Sequence, residues 1–168
     1  MRWWSARRSR QGHGSQEDGR WTLPRLWRRR PNDCGPCCLS LVARYHGLPC
    51  SVGLARRLSA WRWWSGTSLF GLAQAANQIG LASLSARTNA EALSEVPLPC
   101  VTHLRTNHFV VVRGLGPQTV HVTDPLGGQE SVPLEEFTSR WDGVVLLLWP
   151  MAGNAPNVGN EPFATSVR

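Results

Sequence analysis

The stretch PNDCGPCCLSLVARYHG, residues 31–47, decides how the rest of the chain is read. Cys38, Leu41, Val42 and Tyr45 fall at i, i+3, i+4 and i+7, which is one face of a helix. Asn32 and Asp33 are residue types that cap a helix N-terminus, Gly35 and Pro36 suit the first turn, and Gly47 with Pro49 ends the helix. Cys34 then sits at the helix start and off the apolar face. Free N–H groups and the helix dipole favour an anion there, so a thiolate is stabilised and becomes a nucleophile near neutral pH.

Downstream, Val52, Ala55 and Leu58 mark a short second helix after Ser51. Leu69, Leu72, Ala73, Ala76 and Ile79 share a face of a third, capped by Thr67 or Ser68 and closed by Gly80. Asn89 is placed to cap a fourth over Ala90–Val96. The period then changes. Cys100–Leu104, Phe109–Arg113, Thr119–Thr123, Gln129–Val132 and Val144–Trp149 are short and rich in β-branched residues. Turn signals separate them, with a brief helix predicted over Pro133–Trp141 before the last. Helices first and strands second predict an α+β domain with an antiparallel sheet.

Upstream, residues 1–30 hold nine of the 18 arginines against only Glu17 and Asp18, and the chain has no lysine. The formal net charge of +7 therefore belongs to the head segment, and the remainder is neutral. A folded nucleic-acid-binding domain carries charge on its own surface, so no nucleic acid is expected as a partner. Weak contact with a membrane surface through the basic head is the alternative use of that charge. The expected organisation is a basic, disordered segment over 1–24 with Leu23–Trp27 docking on the body, a domain over 25–150 and a flexible tail over 151–168. The apolar run Val144–Trp149 is six residues, far short of the roughly 20 a membrane span needs. No secretory signal or exporter segment is read, so the chain is expected to act alone or beside a separate transporter. Five cysteines, clustered at 34, 37 and 38, fit thiols in a reducing compartment better than a disulfide framework.

A nucleophilic thiolate needs a base, and His108 opens the strand HFVVV. If residues 108–113 and 119–123 form an antiparallel hairpin, the start of one strand lies beside the end of the other. Asp124 would then neighbour His108 and orient it. His13, His46, His103 and His121 are read as surface or satisfied core side chains.

Five blocks occur in order: DCGPCCLSLVARYHG, SLFGLAQAANQIGL, LPCVTHLRTNHFVVV, VHVTDPLGG and EEFTSRWDGVVLLL. Over roughly residues 25–150 the chain resembles the bacteriocin-processing cysteine peptidases, papain-like domains that head peptide-exporting ABC transporters and also occur alone. The resemblance implies Cys34 as nucleophile, His108 as general base and Asp124 as the residue orienting it. It implies hydrolysis of a precursor after a Gly-Gly leader motif, with no cofactor or metal, on the cytoplasmic side of a membrane. The family usually carries a glutamine, an oxyanion donor, six residues before the cysteine. Here that position is Arg28, the candidate substitute, with the Cys34 backbone N–H as a second donor. Losing such a donor typically costs 10²–10³ in rate, so a non-catalytic leader-binding domain is the alternative.

Two rivals use the same cysteines. Cys34-Gly35-Pro36-Cys37 is a thioredoxin-type tetrad, but it follows Arg-Arg-Arg-Pro-Asn-Asp and not a buried strand. Cys34, Cys37 and Cys38 with a histidine are zinc-ligand types, but no second pair completes the spacing. Trp61, Trp63 and Trp64, in AWRWWSGTS, read as a loop covering the core, with an apolar lip for a leader helix as the alternative.

Overall fold

A computed structural model describes residues 31–153. The expectations for the basic head, for Arg28, for docking of Leu23–Trp27 and for the chain beyond 153 lie outside the described residues. A single 3-10 turn, Pro31–Asp33, leads into α1 (Cys34–Tyr45), followed by α2 (Val52–Leu58) and α3 (Leu69–Gln78). The second part contains β1 (Leu81–Arg87), β2 (Cys100–Leu104), β3 (His108–Leu115), β4 (Thr119–Asp124), β5 (Gly128–Pro133), α4 (Leu134–Arg140) and β6 (Trp141–Pro150). The six strands form one antiparallel sheet in the order β1-β6-β2-β3-β4-β5. This is the α+β arrangement that the sequence pattern predicts, with N-terminal helices on an antiparallel sheet.

Two apolar clusters explain why the central strands read as unbroken apolar runs. Phe109 and Val111 of β3 join Leu39, Leu41, Leu72 and Ala75 in a cluster with α1 and α3. Val110 and Val112 join Val120, Val122, Phe137 and Trp141 in a second cluster. Successive strand residues point to opposite faces, so a strand covered on both faces shows no polar alternation.

The caps show how side chains fix the helix starts. Ser51 Oγ accepts from Leu54 N at 3.1 Å, and Ser68 Oγ accepts from Gly71 N at 3.0 Å. Thr67 does not cap α3; its hydroxyl donates to Ser59 O at 2.7 Å. Asn89 Oδ1 accepts from Ala92 N at 2.9 Å, but the segment it starts is a 3-10 turn, Ala92–Glu95, and not an α-helix. Asp33 occupies the α1 cap position without a capping hydrogen bond, because its carboxylate is held by Arg56. Gly47 and Gly80 turn the chain with φ of 73° and 91°, the left-handed region that glycine adopts without strain.

The sequence pattern missed one strand and misplaced the start of another. LASLSAR forms β1 although it carries little β-branched signal; it is recruited by seven residue pairs with β6. Strand β6 begins at Trp141 and not Val144. It runs through an irregularity between Thr102 and Leu104 of the partner strand, where Gly143 takes a φ of 85°.

Close approach of α1 and α3 requires glycine at position 35. A Cβ there would lie 2.5 Å from Thr67 Cγ2 and 3.3 Å from Leu72 Cδ1. Gly35→Ala gains up to about 1 kcal/mol of helix propensity, against an overpacking cost of about 1–3 kcal/mol. We expect a net loss of stability, read as a lower denaturant midpoint with unchanged m-value.

Candidate active site

Cys34 is the first residue of α1, and its side chain is buried. The helix delivers the sulfur to the first residue of β3, against which α1 packs through Phe109 and Val111. His108 lies within the electrostatic reach of Cys34 and pairs through Nε2 with Asp124 Oδ1 at 2.9 Å. Asp124 ends β4, and the pairing Val111↔Thr123 aligns the start of β3 with the end of β4. The hairpin geometry expected from strand polarity therefore holds. Asp124 Oδ1 also accepts from Leu126 N at 2.8 Å, an Asx-type turn that fixes the carboxylate before it meets the imidazole.

The electrostatics follow from this arrangement. Burial by itself lowers the His108 pKa, but the hydrogen bonds and charges of Asp124 and Cys34 override it and push it up to about 9. The imidazole is thus held as its cation at neutral pH, beside a sulfur at a helix N-terminus. Burial pushes the Cys37 and Cys100 thiols up to about 12, Cys50 up to about 11 and Cys38 well above the ordinary range. Those four are inert thiols by environment. Asp124→Asn removes the carboxylate charge, and the His108 titration is expected to fall towards the ordinary imidazole value of about 6.5, read from its ring protons by NMR.

The other described histidines do not meet a thiol in this way. His103 Nδ1 lies 2.6 Å from Asp142 Oδ2, a second His–Asp pair that the sequence did not reveal, and it packs on Phe109. His121 Nδ1 pairs with Ser131 Oγ at 2.7 Å. His46 sits edge-on to Tyr45, with its pKa lowered by burial against an opposing backbone hydrogen bond at Leu148.

The tryptophan loop corrects an expectation. Trp63 and Trp64 are 71% and 60% exposed, so they do not cover the core. The loop is nevertheless anchored to the turn before Cys34. Trp61 Nε1 donates to Asn32 O at 2.8 Å, and Asn32 Nδ2 donates to Trp63 O at 2.6 Å. Phe70, at the start of α3, is also exposed. Sequence reasoning missed the Asp33–Arg56 pair as well, since nothing in VGLARRL distinguishes Arg56 from Arg57 before α2 is docked.

Helices carrying a cysteine at an N-terminus, packed on an antiparallel sheet that supplies a histidine and a carboxylate, define the papain-like cysteine peptidase class. The tetrad at 34–37 has no thioredoxin context in such a fold. Comparison with known proteins narrows the class: a profile described as the Peptidase C39 family matches residues 26–153, and the chain belongs to that family.

Among curated relatives, the chain is 26% identical over 139 residues to the lactococcin-G-processing and transport ATP-binding protein LagD of Lactococcus lactis subsp. lactis. That match covers 79% of this chain and 20% of LagD. It is 29% identical over 133 residues to the transport/processing ATP-binding protein ComA of Streptococcus pneumoniae, covering 74% of this chain and 18% of ComA. The chain thus spans about a fifth of the length of these relatives. Among solved structures it is similar to a double glycine motif protease from an AMS/PCAT transporter in complex with the leader peptide. The TM-score is 0.72 at 26% identity, over 80% of this chain and 96% of that one. It is also similar to the peptidase domain of Streptococcus ComA, with TM-score 0.67 at 28% identity, over 71% of this chain and 93% of that one. No helix among the described residues is long and apolar enough to cross a membrane.

Proposed function

We propose that the protein is a cysteine peptidase that cleaves leader peptides from bacteriocin-like precursors after a Gly-Gly motif. The observation that carries the reading is the chain of contacts Cys34–His108–Asp124, with the sulfur at a helix N-terminus. The Cys34 thiolate attacks the carbonyl of the second glycine. The backbone N–H of Cys34 and the side chain of Arg28 are the proposed donors to the oxyanion. His108 gives its proton to the departing amine, leaving a thioester on Cys34. Water, activated by the now neutral imidazole, releases the leader acid. Asp124 keeps the imidazole oriented throughout. A cleft that excludes side chains next to the scissile carbonyl would select glycine at both positions.

The relatives named for processing and transport support a peptide precursor as substrate and an ABC transporter as the accompanying machinery. On this reading the cleavage takes place at the cytoplasmic face of a membrane. The exposed Trp63 and Trp64, in a loop bonded to Asn32 two residues before Cys34, give the leader's apolar side a surface.

The test is incubation of the full chain with synthetic leader–core peptides, analysed by mass spectrometry. Cleavage after the second glycine, abolished when the pair is replaced by Ala-Ala, is the expected result. Leader binding without cleavage would overturn the enzyme in favour of a leader-binding domain.

A further inference from the structure

Asp33 immediately precedes the nucleophile and is 1% exposed. A buried carboxylate beside a thiol opposes thiolate formation, because two like charges are brought together in a low dielectric. The charge of Asp33 is met from α2. Arg56 Nε donates to Asp33 Oδ1 at 2.8 Å, and Arg56 Nη2 donates to Asp33 Oδ2, a two-point pair. The guanidinium carbon stands 5.4 Å over the Trp61 ring, and Trp61 Nε1 is bonded to Asn32 O. Arg56 is therefore clamped between the carboxylate and the loop that anchors the turn before Cys34.

We infer that Arg56 is a positioning residue for the nucleophile, neutralising Asp33 so that the buried carboxylate does not suppress the Cys34 thiolate. Arg56 acts through Asp33 and needs no contact with substrate. The inference rests on the cysteine peptidase reading of Cys34. The titratable and charged groups around this helix end are Asp33 in the preceding turn, Arg56 from α2, Cys37 and Cys38 from α1, His108 from β3 and Asp124 from β4. From α3 the neighbour of this turn is the apolar Leu72. The field of the Asp33–Arg56 pair reaches this helix end: at Cys37 the carboxylate raises the thiol pKa and the guanidinium opposes it, both acting beneath the larger effect of burial.

The experiment is iodoacetamide alkylation of the full chain as a function of pH, with Cys34 followed by mass mapping. Arg56→Gln is expected to move the Cys34 midpoint up by about one pH unit, slowing alkylation roughly tenfold at neutral pH. Asp33→Asn/Arg56→Gln removes both charges and is expected to return the midpoint to that of the parent. Arg56→Lys keeps the charge and is expected to stay near the parent even where Arg56→Gln fails to fold. An unmoved midpoint in Arg56→Gln overturns the inference alone. So does a double variant as far displaced as the single, or a lysine variant as far displaced as the glutamine, because either makes Arg56 a structural brace only. A parent whose Cys34 is no more reactive than its buried thiols overturns the peptidase reading and this inference together.

Discussion

Cys34→Ala is expected to reduce cleavage of a Gly-Gly leader peptide by roughly 10⁴-fold or more, to the uncatalysed background. The remaining thiols cannot substitute. Cys37, one helical turn away, is 2% exposed and its thiol is pushed up to about 12, first by burial and then by Asp33. Cys38 is fully buried, and burial likewise raises its thiol well above the ordinary range. Removing one buried sulfur leaves the tryptophan loop and its anchor to Asn32 in place, so leader affinity, read by calorimetry or fluorescence, is expected to be kept. Loss of binding with cleavage would mean that the fold itself had failed. Retained cleavage would remove Cys34 from the chemistry.

The second large effect concerns His108. His108→Ala is expected to lower kcat/KM by about 10²–10⁴ through loss of the proton donor and acceptor. In the parent, the pH profile should identify the same residue. In the proposed mechanism the charged imidazole is the proton donor, and Asp124 and Cys34 outweigh burial to raise the His108 pKa to about 9. The cation therefore persists through neutral pH and is lost above about 9, so activity is expected to fall on that alkaline limb. Asp124→Asn should move the limb to lower pH. The linkage to folding has the same sign. A histidine whose folded pKa is raised contributes stability that is fully present below its unfolded value, about 6.5, and that disappears as pH rises through about 9. Denaturant midpoints measured between pH 6 and 10 test this separately from catalysis. A flat alkaline limb would show that the charged imidazole has no part in the reaction.

The parts of the fold that could be read in the sequence are those where local chemistry and tertiary packing agree. Ser51 and Ser68 cap the helices they precede, Gly47 and Gly80 turn the chain behind them, and FVVV lies where both faces of a strand are covered. The same agreement brought His108 and Asp124 together, because antiparallel pairing alone puts a strand's start beside its neighbour's end. Disagreement arises where a long-range partner overrides a local preference. Asp33 has the chemistry of a cap, yet a guanidinium 23 residues away in sequence holds its carboxylate. LASLSAR has little strand signal of its own and becomes β1 only because β6 offers an open edge. Trp63 and Trp64 look like core residues by type and stand in solvent, since Asn32 fixes the loop by its backbone.

By itself the sequence determined that helices come first and an antiparallel sheet second, that Cys34 stands at a helix start, and which residues to propose for the relay. Each of these depends on spacing along a single chain segment or on strand polarity. Only the tertiary structure decided that sulfur and imidazole meet, that Arg56 and not Arg57 answers the charge of Asp33, and that the tryptophans face outward. Those outcomes depend on how separately formed elements dock. A rotation of one helix by a single residue moves a side chain about 100° around its axis, which no local pattern can specify.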